Sequence, residues 1–226
     1  MRLGTWVASP NYRHPVPFAK ELMTLDDVSG GRLVVGVGAG GTGWDADVLG
    51  QTRPTPGQRV RRLDEFCELL DLLLRQPTTT RQGEWFSAVD ARMLPGPVQQ
   101  PRPPFVVAAN GPRALQVAAR RGDAWATTGI TPPEDGQESW WRGVADVAAR
   151  FDDALAQAGR SAEDVDRYLD LDSSAVYSLT SREAFADAAG RAAELGFTDV
   201  VTHWPREQGA YAGDVRVLEQ VAAGLF

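Results

Sequence analysis

Short runs of β-branched and apolar residues alternate along this chain with longer stretches whose apolar residues recur at helical spacing. That alternation restricts it to an α/β fold built on parallel strands joined by helical crossovers. The β-type runs are Arg2–Ala8, Arg32–Val37, Phe105–Ala109, Ala124–Thr128, Tyr168–Leu171 and Asp199–His203. Arg32–Val37 is apolar almost throughout, as a strand covered on both faces must be. Helices are expected over Pro15–Val28, Gln58–Leu74, Gly111–Arg121, Ser139–Ala158, Ser181–Leu195 and Asp214–Ala223. In the first, Phe18, Leu22 and Leu25 should share the buried face, with Gly30-Gly31 ending the helix. In the second, Val60, Leu63, Phe66, Leu70 and Leu73 should do the same.

Six β/α units result, where a closed barrel of this kind has about eight. The expected fold is therefore a TIM-type (β/α) barrel, incomplete at the N-terminus. It forms a single domain over residues 1–226, with a proline-rich excursion at about 76–103 that holds a small hairpin around Gly83–Phe86. An open array has two unpaired edges, which a partner chain covers or which mark a truncated form.

Composition narrows the function classes. A net charge of −7 argues against nucleic acid or an anionic membrane as partner. No apolar run is long enough to span a bilayer and no leader peptide opens the chain, so a cytoplasmic protein is expected. Cys67, the only cysteine, sits in a helical pattern as a small buried hydrophobe. No His, Cys and carboxylate set has metal spacing, and no nucleophile motif occurs.

In barrels of this type the chemistry lies just after the carboxyl ends of the strands. Those positions hold Ser9, Pro10 and Asn11; the glycine-rich turn from Gly36 to Trp44; Ala109-Asn110-Gly111-Pro112-Arg113; Thr127-Thr128-Gly129; and Thr202-His203-Trp204. Gly36, Gly38 and Gly41 satisfy G-x-G-x-x-G, but the segment after them, with Trp44 and Asp45 and no immediate helix, lacks the context of a dinucleotide fold. Two readings stay open for these glycines: close approach of a flat ligand to bare backbone, or a tight turn. Pro112 suits the first turn of a helix, and the N–H groups of Arg113 and Ala114 then read either as an anion site for a phosphate or as plain helix capping. His14 reads either as a site residue or as a helix cap. His203 reads either as a ligand-facing, catalytic histidine or as a satisfied structural one. Trp44, Trp125 and Trp204 are expected to line a substrate pocket, with Trp6 and Trp85 nearby. The set is aromatics, glycines and hydroxyls with little acid–base chemistry, which suits a cofactor that carries the reaction itself.

Several motifs in order resemble the luciferase-like monooxygenase family. They are Arg13-His14-Pro15-Val16, Ala19-Lys20-Glu21-Leu22, Ser29-Gly30-Gly31-Arg32-Leu33, Gly36-Val37-Gly38-Ala39-Gly40, Pro97-Val98-Gln99, Ala108-Ala109-Asn110-Gly111-Pro112 and Gly122-Asp123-Ala124-Trp125. The resemblance covers nearly the whole chain. It implies an oxidoreductase, in some members a monooxygenase, that uses reduced FMN or coenzyme F420 on a small organic substrate. It also implies a homodimer and, as a further partner, a flavin reductase. The cofactor phosphate would be bound by Ala109, Asn110, Gly111, Pro112, Arg113 and Ala114. The ring would lie against Thr5, Trp6 and Val7, with a cis peptide at Trp6–Val7, and against Gly38, Ala39, Gly40 and Thr128. Family members carry two β/α units before the strand at Arg2, so a catalytically incomplete remnant or accessory subunit is the alternative expectation.

Overall fold

The computed structural model describes residues 1–41 and 44–225 as two compact units, Met1–Ala124 and Trp125–Phe226. In the first, β1 (Leu3–Ala8), β2 (Leu33–Gly38) and β5 (Phe105–Ala108) run parallel in that order. Leu3 is in register with Leu33, and Val35 with Phe105. The helices α1 (Pro15–Ser29), α2 (Trp44–Val48), α3 (Pro56–Arg75) and α4 (Pro112–Arg121) carry the crossovers. Between α3 and β5 stands an antiparallel hairpin, β3 (Thr78–Gln82) and β4 (Ser87–Arg92), inside the proline-rich excursion.

Helix α1 begins at His14, whose Nδ1 accepts a hydrogen bond from Val16 N–H at 3.2 Å, and ends at Gly30 in the left-handed region. Its buried stripe is Phe18, Ala19, Leu22, Met23 and Asp26, whereas Leu25 is half-exposed. The expected place of Leu25 on that stripe is thus taken by a carboxylate. Asp26 tolerates complete burial because Gln99 gives it two hydrogen bonds, from the backbone N–H at 2.9 Å and from Nε2 at 2.7 Å. Helix α3 starts with a reciprocal cap between Thr55 and Gln58 and buries Leu63, Phe66, Leu70 and Leu73 as their spacing predicts, whereas Val60, in its first turns, is only half-buried. The Phe66 ring meets Phe18 and Phe86 at 6.0 and 5.7 Å.

From the same helix Glu65 accepts the backbone N–H groups of Glu84, Trp85 and Phe86 at 2.7–3.0 Å, which fastens the hairpin turn to α3. Arg102, nearly buried, bridges Asp71 and Asp123 at 2.6 Å each and lies 3.6 Å over the Phe105 ring. Cys67 is buried, and loss of hydration pushes its thiol up to about 12.

Contrary to expectation, a helix does follow the glycine-rich turn: α2 is one short turn starting at Trp44. Asp45 and Asp47 in its first turn favour the positive helix end. Thr42 and Gly43 of the turn lie outside the described residues.

The second unit repeats the strand–helix pattern. Its strands are β6 (Ala124–Thr127), which starts at the last residue of the first unit, β7 (Asp166–Asp170) and β8 (Asp199–Val201). The last two are parallel, with Leu169 opposite Val200. Helices α5 (Gln137–Gln157), α6 (Arg182–Glu194) and α7 (Val215–Leu225) connect and follow them. Trp125 is wholly buried, stacked at 4.3 Å on Phe151 of α5 and at 5.7 Å on Phe197. Its expected role as a substrate-lining residue is corrected: the ring belongs to the packed strand–helix layer, where two aromatic faces cover it. Six β/α units of a TIM-type barrel are thus present. Among the described residues no helix is long and apolar enough to cross a membrane.

Candidate functional site

Parallel register brings the carboxyl ends of β1, β2 and β5 out on one edge of the first unit, since Ala8 pairs with Val37 and Gly38 with Ala108. The segments leaving that edge are Ser9–Asn11, Ala39–Gly41 and Ala109–Gly111, so the predicted residues of this unit do gather. Within β1 the Trp6–Val7 peptide is cis, and the pairing with β2 shifts between Thr5 and Ala8. Thr5 Oγ1 donates to Gly36 O at 2.7 Å, while Trp6 is 44% and Val7 37% exposed. The irregular strand therefore presents the side of an indole and a valine instead of burying them.

The glycines of the turn divide into two kinds. A Cβ on Gly36 would stand 2.0 Å from Thr5 O, and one on Gly38 2.8 Å from the Val7 side chain. On Gly40, whose φ is +80°, it would stand 2.4 Å from Asn11 and 2.5 Å from Asp45. The room at these three is filled by the chain itself, so the open-backbone reading does not hold for them; Gly36 and Gly38 lie within β2 packed against β1, and the tight-turn reading holds for Gly40. At Gly41 and Gly111, in contrast, a Cβ would meet nothing within 4 Å among the described residues.

Gly111 is the N-cap of α4, with extended backbone (φ −87°, ψ 155°) and no side chain bonding to the helix end. Pro112 fills the first turn, and Leu115 N–H is the first to find a helical carbonyl, that of Gly111 at 2.9 Å. The N–H groups ahead of it have no helical carbonyl and no capping side chain, and the positive end of the helix lies behind them. Ala109 is buried, Asn110 and Ala114 are half-buried and Arg113 is exposed. The Arg113 guanidinium lies 3.0 Å from the Cβ position of Gly57, against the first turn of α3. Trp44 is 73% exposed on α2.

A polar cluster at the same edge went unrecognised in the sequence. Asp45 Oδ2 accepts from Asn11 Nδ2 at 2.8 Å and from Ser9 Oγ at 3.2 Å, and Asn11 Oδ1 accepts from Arg62 Nη1 at 3.1 Å. Burial lowers the Arg62 pKa, and its Nε is buried without a partner. Loss of hydration, and then the Asp45 carboxylate, raise the Tyr12 phenol. The two open readings of His14 resolve into the cap, since its Nδ1 is used by Val16.

In the second unit Thr128 follows β6 and is exposed, and its carbonyl accepts from Trp140 Nε1 at 3.1 Å. Trp204 is 61% exposed. His203 is held by partners that no sequence pattern pointed to. Asp172, whose side chain is fully buried, accepts from His203 N–H at 2.5 Å and stands 3.2 Å from His203 Nδ1. The same carboxylate accepts from Thr202 Oγ1 at 3.0 Å and from Ser178 N–H at 2.9 Å. Tyr177 donates its hydroxyl to His203 O at 2.7 Å, and burial followed by the Asp172 charge raises its pKa. The Tyr211 ring lies flat on the imidazole, 4.1 Å between centres and 5° from parallel. Both readings of His203 thus contain part of the answer: its backbone is structural, and its ring is one-third exposed. Among the described residues no group of His, Cys, Asp or Glu is placed to hold a metal.

Comparison with known proteins agrees with this construction. The family model described as luciferase-like monooxygenase matches residues 1–220. An F420-dependent glucose-6-phosphate dehydrogenase of Microbacterium testaceum is 31% identical over 75% of this chain and 48% of its own length. A 4-hydroxyprotoasukamycin monooxygenase of Streptomyces nodosus is 31% identical over 93% of this chain and 52% of its own. The chain therefore spans about half the length of these relatives. In structure it is similar to the coenzyme F420-dependent tetrahydromethanopterin reductase of Methanopyrus kandleri, with a TM-score of 0.72 at 17% identity over 89% of this chain and 76% of that one. The chain belongs to the luciferase-like monooxygenase family.

Proposed function

We propose that this chain carries the cofactor-holding part of an oxidoreductase that uses coenzyme F420 or reduced FMN on a small organic substrate. The observation that carries the reading is the N-terminus of α4, where no side chain caps the first-turn N–H groups and the space at the Cβ position of Gly111 is open. A phosphate fits there, because the helix end supplies donors and positive potential while no side chain stands in the way. The exposed flanks of Trp6 and Val7, at the same strand-end edge, offer an apolar platform for a flat ring. The Ser9–Asn11–Asp45 cluster supplies a polar wall with fixed donors and acceptors. When bound, such a ring supplies hydride or oxygen chemistry, while the protein binds, orients and excludes water. Relatives with names of both kinds, an F420-dependent dehydrogenase and a monooxygenase, support the class and leave the choice of cofactor to experiment.

Titration of the purified chain with reduced FMN and with F420, followed by fluorescence under anaerobic conditions, tests the reading. Saturable binding of one at micromolar concentration is expected, and no binding of either overturns it. The same reading includes a homodimer and, with FMN, a separate reductase that supplies the reduced cofactor.

A further inference from the structure

His203 and His14 are the two histidines of the chain, and their hydrogen-bond partners select opposite tautomers of the neutral ring. His14 Nδ1 accepts a hydrogen bond from Val16 N–H, so its neutral ring carries the proton on Nε2. His203 Nδ1 faces Asp172 Oδ2 at 3.2 Å, with Asp170 Oδ1 at 3.9 Å behind it. An ionised carboxylate can only accept, so the proton of the neutral ring belongs on Nδ1 and the lone pair on Nε2. The ring has little freedom to choose otherwise. Its backbone N–H is tied to Asp172, its carbonyl to the Tyr177 hydroxyl, and its face to Tyr211. Asp172 is itself immobilised by Thr202 and by Ser178 N–H, and Ser178 Oγ and Thr202 Oγ1 lie 2.7 Å apart.

We propose that Asp172 is a positioning residue that holds His203 in the Nδ1–H form and presents Nε2 as a proton acceptor. In the step this serves, the O–H bond of a bound hydroxyl breaks, its electron pair stays on oxygen and the proton moves to Nε2. The resulting imidazolium keeps its Nδ1–H on Asp172, whose carboxylate takes no proton. Only the identity of that hydroxyl, as part of an oxidoreductase substrate, rests on the proposed function; the tautomer does not.

Long-range proton–nitrogen correlation spectra of the uniformly 15N-labelled chain, recorded above the pH at which histidine titrates, test it directly. His14→Gln assigns the two rings. His203 is expected as Nδ1–H and His14 as Nε2–H. Asp172→Asn should move His203 toward Nε2–H while His14 stays unchanged. Finding wild-type His203 as Nε2–H, or unaltered in a folded Asp172→Asn variant, overturns the proposal. If Asp172→Asn does not fold, the wild-type spectrum still decides. Cofactor titration of Asp172→Asn should match wild type, so loss of cofactor binding and loss of the tautomer are separate outcomes.

Discussion

Replacing Gly111 by aspartate should raise stability and weaken cofactor binding at once. The backbone at Gly111 already has the extended conformation of a capping aspartate, and nothing within 4 Å obstructs a Cβ. An aspartate there accepts one of the first-turn N–H groups and faces the positive end of α4. Against glycine these two effects stabilise by about 0.5–1 kcal/mol. For a chain of this size that is a rise in Tm of roughly 1–4 °C. The same carboxylate takes a donor that a phosphate would use and adds a like charge at its side. Losing one charge-assisted hydrogen bond costs about 2 kcal/mol, and repulsion at an exposed position adds about 1 kcal/mol per phosphate charge. Affinity should therefore fall about a hundredfold for a singly charged phosphate and nearly a thousandfold, on the order of 4 kcal/mol, for a doubly charged one. Differential scanning fluorimetry gives the first quantity and fluorescence titration with reduced FMN or F420 the second. A higher Tm with unchanged affinity refutes phosphate binding at α4, and a lower Tm refutes the cap geometry.

The other predictions concern packing and titration. Gly36→Ala forces a methyl to 2.0 Å from Thr5 O and should cost more than about 3 kcal/mol in denaturant unfolding, whereas Gly41→Ala should cost under about 1 kcal/mol; similar costs for both would contradict the division of the glycines. Trp125→Ala should lose about 3–5 kcal/mol of stability, because the ring is sealed between Phe151 and Phe197; a loss below about 1 kcal/mol would show that the ring is not core. The Cys67 thiol, pushed up to about 12, should not react with a disulfide reagent at pH 8 unless the chain is unfolded. Its folded pKa lies above the unfolded one near 8.5, so the stability it contributes is complete below about pH 8.5 and declines as pH rises toward 12. At pH 10 the loss is about 2 kcal/mol. Urea unfolding at pH 8 and pH 10 should show this extra decline in the wild type and not in Cys67→Ala.

Sequence pattern stops carrying information at several of these same residues. Periodicity located the strands and long helices because each of those signals repeats within one element. It misplaced Leu25, since a stripe beside Leu22 can continue through residue 25 or 26, and the choice depended on Gln99 standing ready to bond Asp26. Trp125 reads as pocket-lining for its aromatic ring, yet it stands at the amino end of β6, and alternation along a strand sends neighbours to opposite faces. Deciding which face it takes required Phe151 and Phe197. The turn glycines posed the same difficulty in another form. Absence of a side chain tells equally of space kept for a ligand and of space used by the chain, and only the distances to Thr5, Val7, Asn11 and Asp45 separate them.

His203 could be found from its place after a strand, but Asp172 could not, because 31 residues separate them. The local clue was the pair Asp170 and Asp172 at the end of β7, in register with β8. Parallel strands emerge at the same edge, so an acid ending one strand and a histidine ending its neighbour are candidates for contact on strand order alone. Applied to the first unit, the same rule joins Ser9 and Asn11 after β1 to the segment that begins after Gly38 and reaches Asp45. Both of these polar groups, invisible to motif reading, are thus pairs across adjacent strand ends, and register, more than residue type, is what reveals them.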